Sequence, residues 1–422
     1  MRHLSSYLRQ VSQDTFSSLY VRNYRIYYIG QIISTSGTFM QNVAQAWLVL
    51  KLTNSGTDLG ITIALQYVPI LFLGPIGGIV ADRVSKRKIL FLTQSASGLL
   101  ALILGILVAT NLVNVWMVYT LALLLGIVTV FDSPTRQTFY FELVGENNLR
   151  NAITLYSTLF NLARVIGPAI AGALIASVGM ASCFIINGIS YAAVVIVLAM
   201  MNTKELHITP PVPRAKGQLR EGLQYVLSTP VLASTLLMMG IIGAFTFEFT
   251  VSLPLIAQFT YKGDASSFAF LTSALGLGAA AGGIVFASRK GITPSRLVSA
   301  AFLFGATTLA AALMPNLLLC ALVLVVVGIC SINFSSLGNT ILQLESSPQM
   351  RGRVMAFWSV VWVGSSAFGG PVVGWFAQLG GGRWGLGFSG VTGVIAAILG
   401  AITMRSILTR KTASSQQENK PA

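Results

Sequence analysis

Twelve apolar stretches, each about twenty residues long and separated by short polar breaks, constrain the fold of this 422-residue chain more than any other feature. A run of that length, wound at 1.5 Å per residue, crosses the hydrocarbon of a bilayer as an α-helix that satisfies its own backbone hydrogen bonds. The stretches predict spans near residues 26–50, 59–81, 88–109, 115–136, 150–178 and 180–201. A second set follows near 231–258, 266–288, 295–314, 317–343, 353–378 and 384–408. Composition agrees, because 54% of the residues are hydrophobic and only 9% charged, against roughly 25% charged in soluble domains. The expected class is therefore an all-α membrane protein of twelve transmembrane helices, embedded in a lipid bilayer.

Residues 202–230 form the one long polar connector, carrying Pro210-Pro211-Val212-Pro213 and Lys204, Arg214, Lys216 and Arg220. It divides the chain into an N-terminal half, 26–201, and a C-terminal half, 231–408, flanked by an N-terminal segment, 1–25, and a polar tail from Thr409 expected to be disordered. With the N-terminus placed in the cytoplasm, the basic residues fall in cytoplasmic breaks, and only Lys51, Lys262 and Arg383 lie outside. The positive-inside rule then sets both termini in the cytoplasm, in the inner membrane. The halves also echo each other. Glu142, Arg150, Gly167 and Pro168 return as Glu345, Arg353, Gly370 and Pro371 at a common spacing of 203 residues, and Gly74-xxx-Gly78 returns as Gly278-xxx-Gly282. Two six-helix pseudo-repeats of this kind hold substrate between them in many secondary transporters.

Several classes fall away on residue content. A formal charge of +15 could point to nucleic acid, but the basic residues sit in short breaks between spans rather than on one solvated face. Cys183, Cys320 and Cys330 lie inside apolar runs without metal or disulfide spacing. The two histidines, His3 and His207, lie outside the spans, so no histidine-based centre can form within the membrane. Ala44-Gln45-Ala46 resembles a signal cleavage site, yet the stretch before it is too long and too polar for a signal peptide. No Gly-xxxx-Gly-Lys-Ser/Thr loop, and so no direct use of ATP, is found. Neither a cofactor nor a metal is expected.

The strongest local motif runs from Gly78 through Ala81-Asp82-Arg83-Val84-Ser85-Lys86-Arg87-Lys88, after the second span. It resembles the signature loop of the major facilitator superfamily, with Ser85 in place of the usual glycine. Ser133-Pro134-Thr135-Arg136-Gln137, Asn151-Ala152-Ile153 and Asn161-Leu162-Ala163-Arg164-Val165-Ile166-Gly167-Pro168-Ala169 are similar to the branch that contains enterobactin exporters and macrolide-efflux-like proteins. Ala163–Gly172 resembles the Gly-Pro motif of drug and proton antiporters, which implies export. The arginine often found in the fourth helix of proton-coupled members is missing near Ala122. The resemblance further implies that Asp82 latches the two halves on the cytoplasmic side, near Ser347–Arg353. Asp132 is the expected partner of Arg83 or Arg87 in that latch.

Polar residues supply candidate cavity positions. Gln31, Ser34, Thr35, Thr38, Gln41, Asn42 and Gln45 make one face of the first helix, and Asn333, Ser336, Asn339, Thr340 and Gln343 make one of the tenth. In hydrocarbon such a face turns to water, to ligand or to a neighbouring helix as interhelical glue. Phe247 and Phe249 of the seventh span, with Trp358 and Trp362 of the eleventh, suit a partly apolar ligand or plain packing. Glu248 is the only acid read as deep inside a span, and Arg164 the only cation, so the pair is the candidate for proton coupling or for binding substrate charge. The expected function is export of a small amphipathic drug or siderophore by a monomeric, proton-coupled secondary transporter working by alternating access. Rival readings are a lysophospholipid or other lipid transporter and a transport-inactive sensor or assembly protein. A membrane enzyme is disfavoured, since no paired carboxylates or serine-base set lies in the spans.

Overall fold

The computed structural model describes residues 16–208, 218–287 and 292–418, with side chains except at 218–220, 287 and 405–418. Pro210 to Lys216 of the connector and the basic turn at 288–291 lie outside the described residues. After a single 3₁₀ turn at Ser17–Tyr20, α1 (Arg22–Thr53), α2 (Gly56–Arg83) and α3 (Lys86–Ala109) are the first three spans. Helix α4 (Val115–Ser177) is far too long for one crossing, at roughly 95 Å by its 63 residues. It turns at Gly145, whose φ of 68° suits glycine, and so supplies spans four and five. The fourth span thus runs through Val144, beyond the expected end near residue 136. Span six is α5 (Met180–Met200).

An additional amphipathic helix, α6 (Gln218–Ser228), occupies the end of the expected connector. Span seven is broken: α7 (Pro230–Ile241), a π-helical turn at Ile242–Thr246, then α8 (Phe249–Leu255) and a second π turn at Ile256–Thr260. Spans eight to ten are α9 (Ala265–Ala287), α10 (Pro294–Leu313) and α11 (Leu317–Leu344). Span eleven consists of α12 (Arg351–Gly364) and α13 (Ser366–Gly380), and span twelve is α14 (Gly382–Glu418). Helix continues past Thr409, where disorder was expected, because no proline or glycine interrupts the chain before Glu418.

Ten of these helices are long and apolar enough to cross a membrane on composition alone. The double length of α4 adds one crossing, and α1 falls short only because its polar face dilutes its hydropathy, so twelve spans result. The repeat is visible in the caps. Asn114 and Asn316 open spans four and ten, and each side-chain oxygen accepts the backbone N–H three residues on, at 3.0 and 2.9 Å.

The chain divides into two compact units, one of residues 1–48 and 72–213, the other of residues 49–71 and 214–422. The expected N-terminal half therefore lends Val49–Leu71 to the second unit. The reason is backbone contact without side chains between. A methyl at Gly60 would run into the Gly370 carbonyl, and one at Gly374 into the Gly56 carbonyl. Within the same unit, Gly278 and Gly282 of α9 approach the backbone of Val325 and Ile329 in α11. Gly74, expected to be their counterpart, faces open space, and Gly77 makes the close approach instead, against the Val130 carbonyl.

Candidate functional site

Glu248 sits where the seventh span has no regular helix. The π turn before it ends at Thr246, and Glu248 itself has φ −77° and ψ 46° as the residue preceding α8, its carbonyl accepting from Ser252 N–H at 2.9 Å. A π turn inserts one residue into the helical ladder, and such insertions gather at functional sites. The side chain is 3% exposed. Its Oε1 is buried without a hydrogen-bond partner. No basic side chain pairs with it among the described residues.

Aromatic rings surround this break. The Phe247 ring meets Trp362 at 4.7 Å, Phe304 at 4.9 Å and Phe249 at 6.2 Å between centroids. Trp358 and Trp362 stack one turn apart, and the Trp358 Nε1 is buried without a partner. Gly243 and Gly369 make room for the arrangement: a methyl at Gly369 would strike the Ala244 carbonyl, and one at Gly243 would stand 3.0 Å from Ser365 Oγ. Phe304 on α10 carried no signal in the sequence beyond that of an ordinary apolar residue. Arg164 belongs to the first unit, with its guanidinium over the rings of Phe160 and Phe39 at 5.5 and 6.0 Å.

The first unit holds a second buried acid in a different setting. Asp132 accepts from Thr93 Oγ1 at 2.8 Å, from Gln94 Nε2 at 2.7 Å and from Arg136, whose Nε lies at 3.0 Å and whose Nη2 also bonds to it. Arg136 Nη1 then donates to Gln31 Oε1 at 3.0 Å. This corrects the expected pairing of Asp132 with Arg83 or Arg87. Arg87 donates instead to the carbonyls of Leu198 and Ala199 at the end of α5, at 2.6 and 3.1 Å, where helix-end carbonyls favour a cation. Lys86, from the same turn, pairs with Glu142 at 2.7 Å. The Asp132/Arg136 pair carries a signal in the sequence, the i,i+4 spacing of an acid and a base on one helix.

In the turn itself, Asp82 is half-buried at the end of α2 and Arg83 is exposed. Ser85 has φ −53°, which any L-residue adopts, so the missing glycine costs nothing there.

The polar face of α1 is answered largely by neighbouring helices. Gln41 Oε1 accepts from Asn187 Nδ2 at 2.6 Å, and Thr38 shares a hydrogen bond with Tyr191 at 3.1 Å. For Gln31, Thr38 and Gln41 the interhelical role therefore displaces the cavity-lining one expected of Gln41. The α5 residues that bind Thr38 and Gln41, Tyr191 and Asn187, lie four apart on one helical stripe, with Ser190 bonded to Asn187. Gln45 is buried, Asn42 exposed, and Asn333 and Asn339 on α11 half-buried, with Asn339 bonded to Gln343.

A family model described as "Transmembrane secretion effector" matches residues 13–422. The chain is 26% identical to the enterobactin exporter EntS of Shigella boydii, over 83% of this chain and 84% of that one. It is 24% identical to the multidrug efflux pump Tap of Mycolicibacterium fortuitum, over 76% and 80%. A 26% identity to the staphyloferrin A transporter of Staphylococcus aureus covers 57% of this chain and 61% of that transporter, less than two thirds of its length. The fold matches a bacterial homolog of the human lysosomal transporter Spinster with a TM-score of 0.73 at 15% identity, covering 92% of this chain and 98% of that one.

Proposed function

We propose that this chain, which belongs to the transmembrane secretion effector family of the major facilitator superfamily, exports a small amphipathic compound, a siderophore or a drug, in exchange for protons. The family and the matched relatives are transporters, not enzymes, and EntS and Tap are named for export of a siderophore and of drugs. The observation that carries the reading is the Glu248 carboxyl, buried inside a span at a break in its helix, with one oxygen unpartnered and no cation bonded to it. A carboxyl in that setting is inexpensive to bury with its proton and costly without it. Opening the break to water on one side lets it release the proton, and closing it favours the loaded form, which is the cycle that alternating access requires.

Arg164, held over two rings, is the charge offered to an anionic part of the substrate. Asn42, Gln45, Asn333, Asn339, Phe247 and Phe249 supply amides and rings along the path. Asp82, with Arg83, latches the cytoplasmic side, while Lys86 and Arg87 serve the first unit. The protein acts as a monomer in the inner membrane with both termini in the cytoplasm.

The test is transport in proteoliposomes with an imposed pH gradient, using enterobactin and ethidium as probes. Wild type should extrude one of them in proportion to the gradient, and Glu248→Gln should abolish that dependence while the protein remains folded. Gradient-driven extrusion by Glu248→Gln at the wild-type rate would remove Glu248 from the coupling role.

A further inference from the structure

From Glu221 on, helix α6 divides its surface three ways. Successive side chains of an α-helix stand about 100° apart, so Glu221, Gly222, Tyr225 and Val226 share one side, Leu223 and Leu227 a second, and Gln224 and Ser228 a third. The first side is bound to protein. Glu221 accepts from Arg353 Nη1 at 2.7 Å, the Tyr225 hydroxyl accepts from the Ser347 N–H at 3.0 Å, and Val226 is buried. A methyl at Gly222 would stand 3.1 Å from Arg353 Cβ and from Phe357 Cε2. The third side is polar and exposed. On the second, Leu223 is 46% and Leu227 66% exposed, although both are aliphatic and lie one turn apart.

A helix lying between protein and water needs two sides only, apolar inward and polar outward. An apolar strip set between a protein-bound side and a polar side fits a third medium, and the position of α6 says which. Thr229 alone separates it from Pro230, the first residue of the seventh span. Its last turn therefore lies where that span enters the membrane. Arg351, exposed in the first turn of α12 and two residues from the Arg353 that α6 binds, places a cation at the same boundary. The negative surface of the cytoplasmic leaflet favours a cation there.

We propose that α6 lies in the interface of the cytoplasmic leaflet, with Leu223 and Leu227 at the headgroup–acyl boundary, about 5–10 Å deep, and Gln224 and Ser228 in water. The choice of leaflet rests on the orientation proposed above, with both termini in the cytoplasm; the depth does not depend on it. Through Tyr225 on Ser347 and Glu221 on Arg353, the turn between spans ten and eleven is moored to the lipid surface. The occupant of the leucine strip is thus lipid, neither a partner protein nor a second copy of the chain.

The experiment attaches bimane to Leu223→Cys, Leu227→Cys, Gln224→Cys and Ser228→Cys, one per full-length protein, in vesicles of phosphatidylethanolamine and phosphatidylglycerol. All four positions are exposed, so the substitutions spare the packing. Wild type, with Cys183 and Cys320 buried and Cys330 half-buried, supplies the labelling background. Nitroxide lipids labelled near the headgroup should quench the two leucine positions at least about threefold more than the two polar ones, and more than nitroxides at the chain terminus do. Iodide present on both faces of the vesicle should give the reverse order. Iodide quenching of all four positions alike overturns the proposal, because the strip is then in water. Protection of the leucine positions from both quenchers also overturns it, because protein then covers the strip. Orientation is read separately: Gln224→Cys should react with a membrane-impermeant maleimide in inverted vesicles and not in spheroplasts. Reaction in spheroplasts overturns the orientation and leaves the interfacial helix standing.

Discussion

Asp132 and Glu248 are both carboxyls buried inside spans, and the fold treats them in opposite ways. Asp132 is enclosed by Arg136, Thr93 and Gln94, so its charge is neutralised and its lone pairs are occupied. Glu248 has an oxygen without a partner, and its neighbours Phe247 and Phe249 stand among aromatic rings. The first arrangement ties a carboxyl into an ion pair and a hydrogen-bond network, and the second leaves a carboxyl without a bonded cation among the described residues. A buried acid is thus a machine part or a fastener according to its neighbours, not its depth.

The comparison is broken most directly by removing one fastener. Asp132→Ala leaves the Arg136 guanidinium buried without its counter-ion, and a loss of about 3–5 kcal/mol is expected, read as a large fall in the thermal melting of detergent-purified protein. The double variant Asp132→Ala/Arg136→Leu should recover part of it. A single variant that melts like wild type would show that the pair is not a fastener.

Packing at the Glu248 break comes next in size. Gly369→Ala forces a methyl onto the Ala244 carbonyl and should cost about 1–3 kcal/mol, whereas Gly74→Ala, with open space at its Cβ, should be neutral or stabilising in the same melting assay. A smaller loss, about 0.5–1.5 kcal/mol, is expected for Thr38→Val, which removes the bond to Tyr191. The least effect on stability belongs to Glu248→Gln, within about 0.5 kcal/mol of wild type or above it, since an uncharged amide suits that setting at least as well. A severe melting defect in Glu248→Gln would erase the contrast with Asp132.

Spans, their number and the repeat were legible because hydrophobic run length is a property of the chain alone. Glu248 stood out because an acid in an apolar run needs no partner to be conspicuous. Its surroundings were not legible, since Phe304 and Trp362 reach the neighbouring Phe247 ring from distant positions in the chain, and Phe304 carries no local signature. The first-helix amides show the converse failure. Gln31 and Gln41 form a polar stripe that looks like a cavity wall, and only the placement of Arg136 and Asn187 shows that helices, not water, answer it. The place of Asp132 at the cytoplasmic end of the fourth span points to Arg83 or Arg87, but a nearer base, Arg136, lies four residues on.

The turn at Gly145 has a consequence for how this lineage can change length. Spans four and five are joined by one left-handed residue rather than a loop, and the His207 ring packs over that residue while the His207 N–H donates to the Glu142 carbonyl at 2.8 Å. No slack is stored there. One inserted residue would rotate everything beyond it by about 100° around the helix axis, carrying Arg164 and Phe160 to another side of the fifth span together. Insertions and deletions at this elbow are phase errors, not changes of loop length, and a library of single-residue insertions should show residues 142–148 as a gap between tolerant sites.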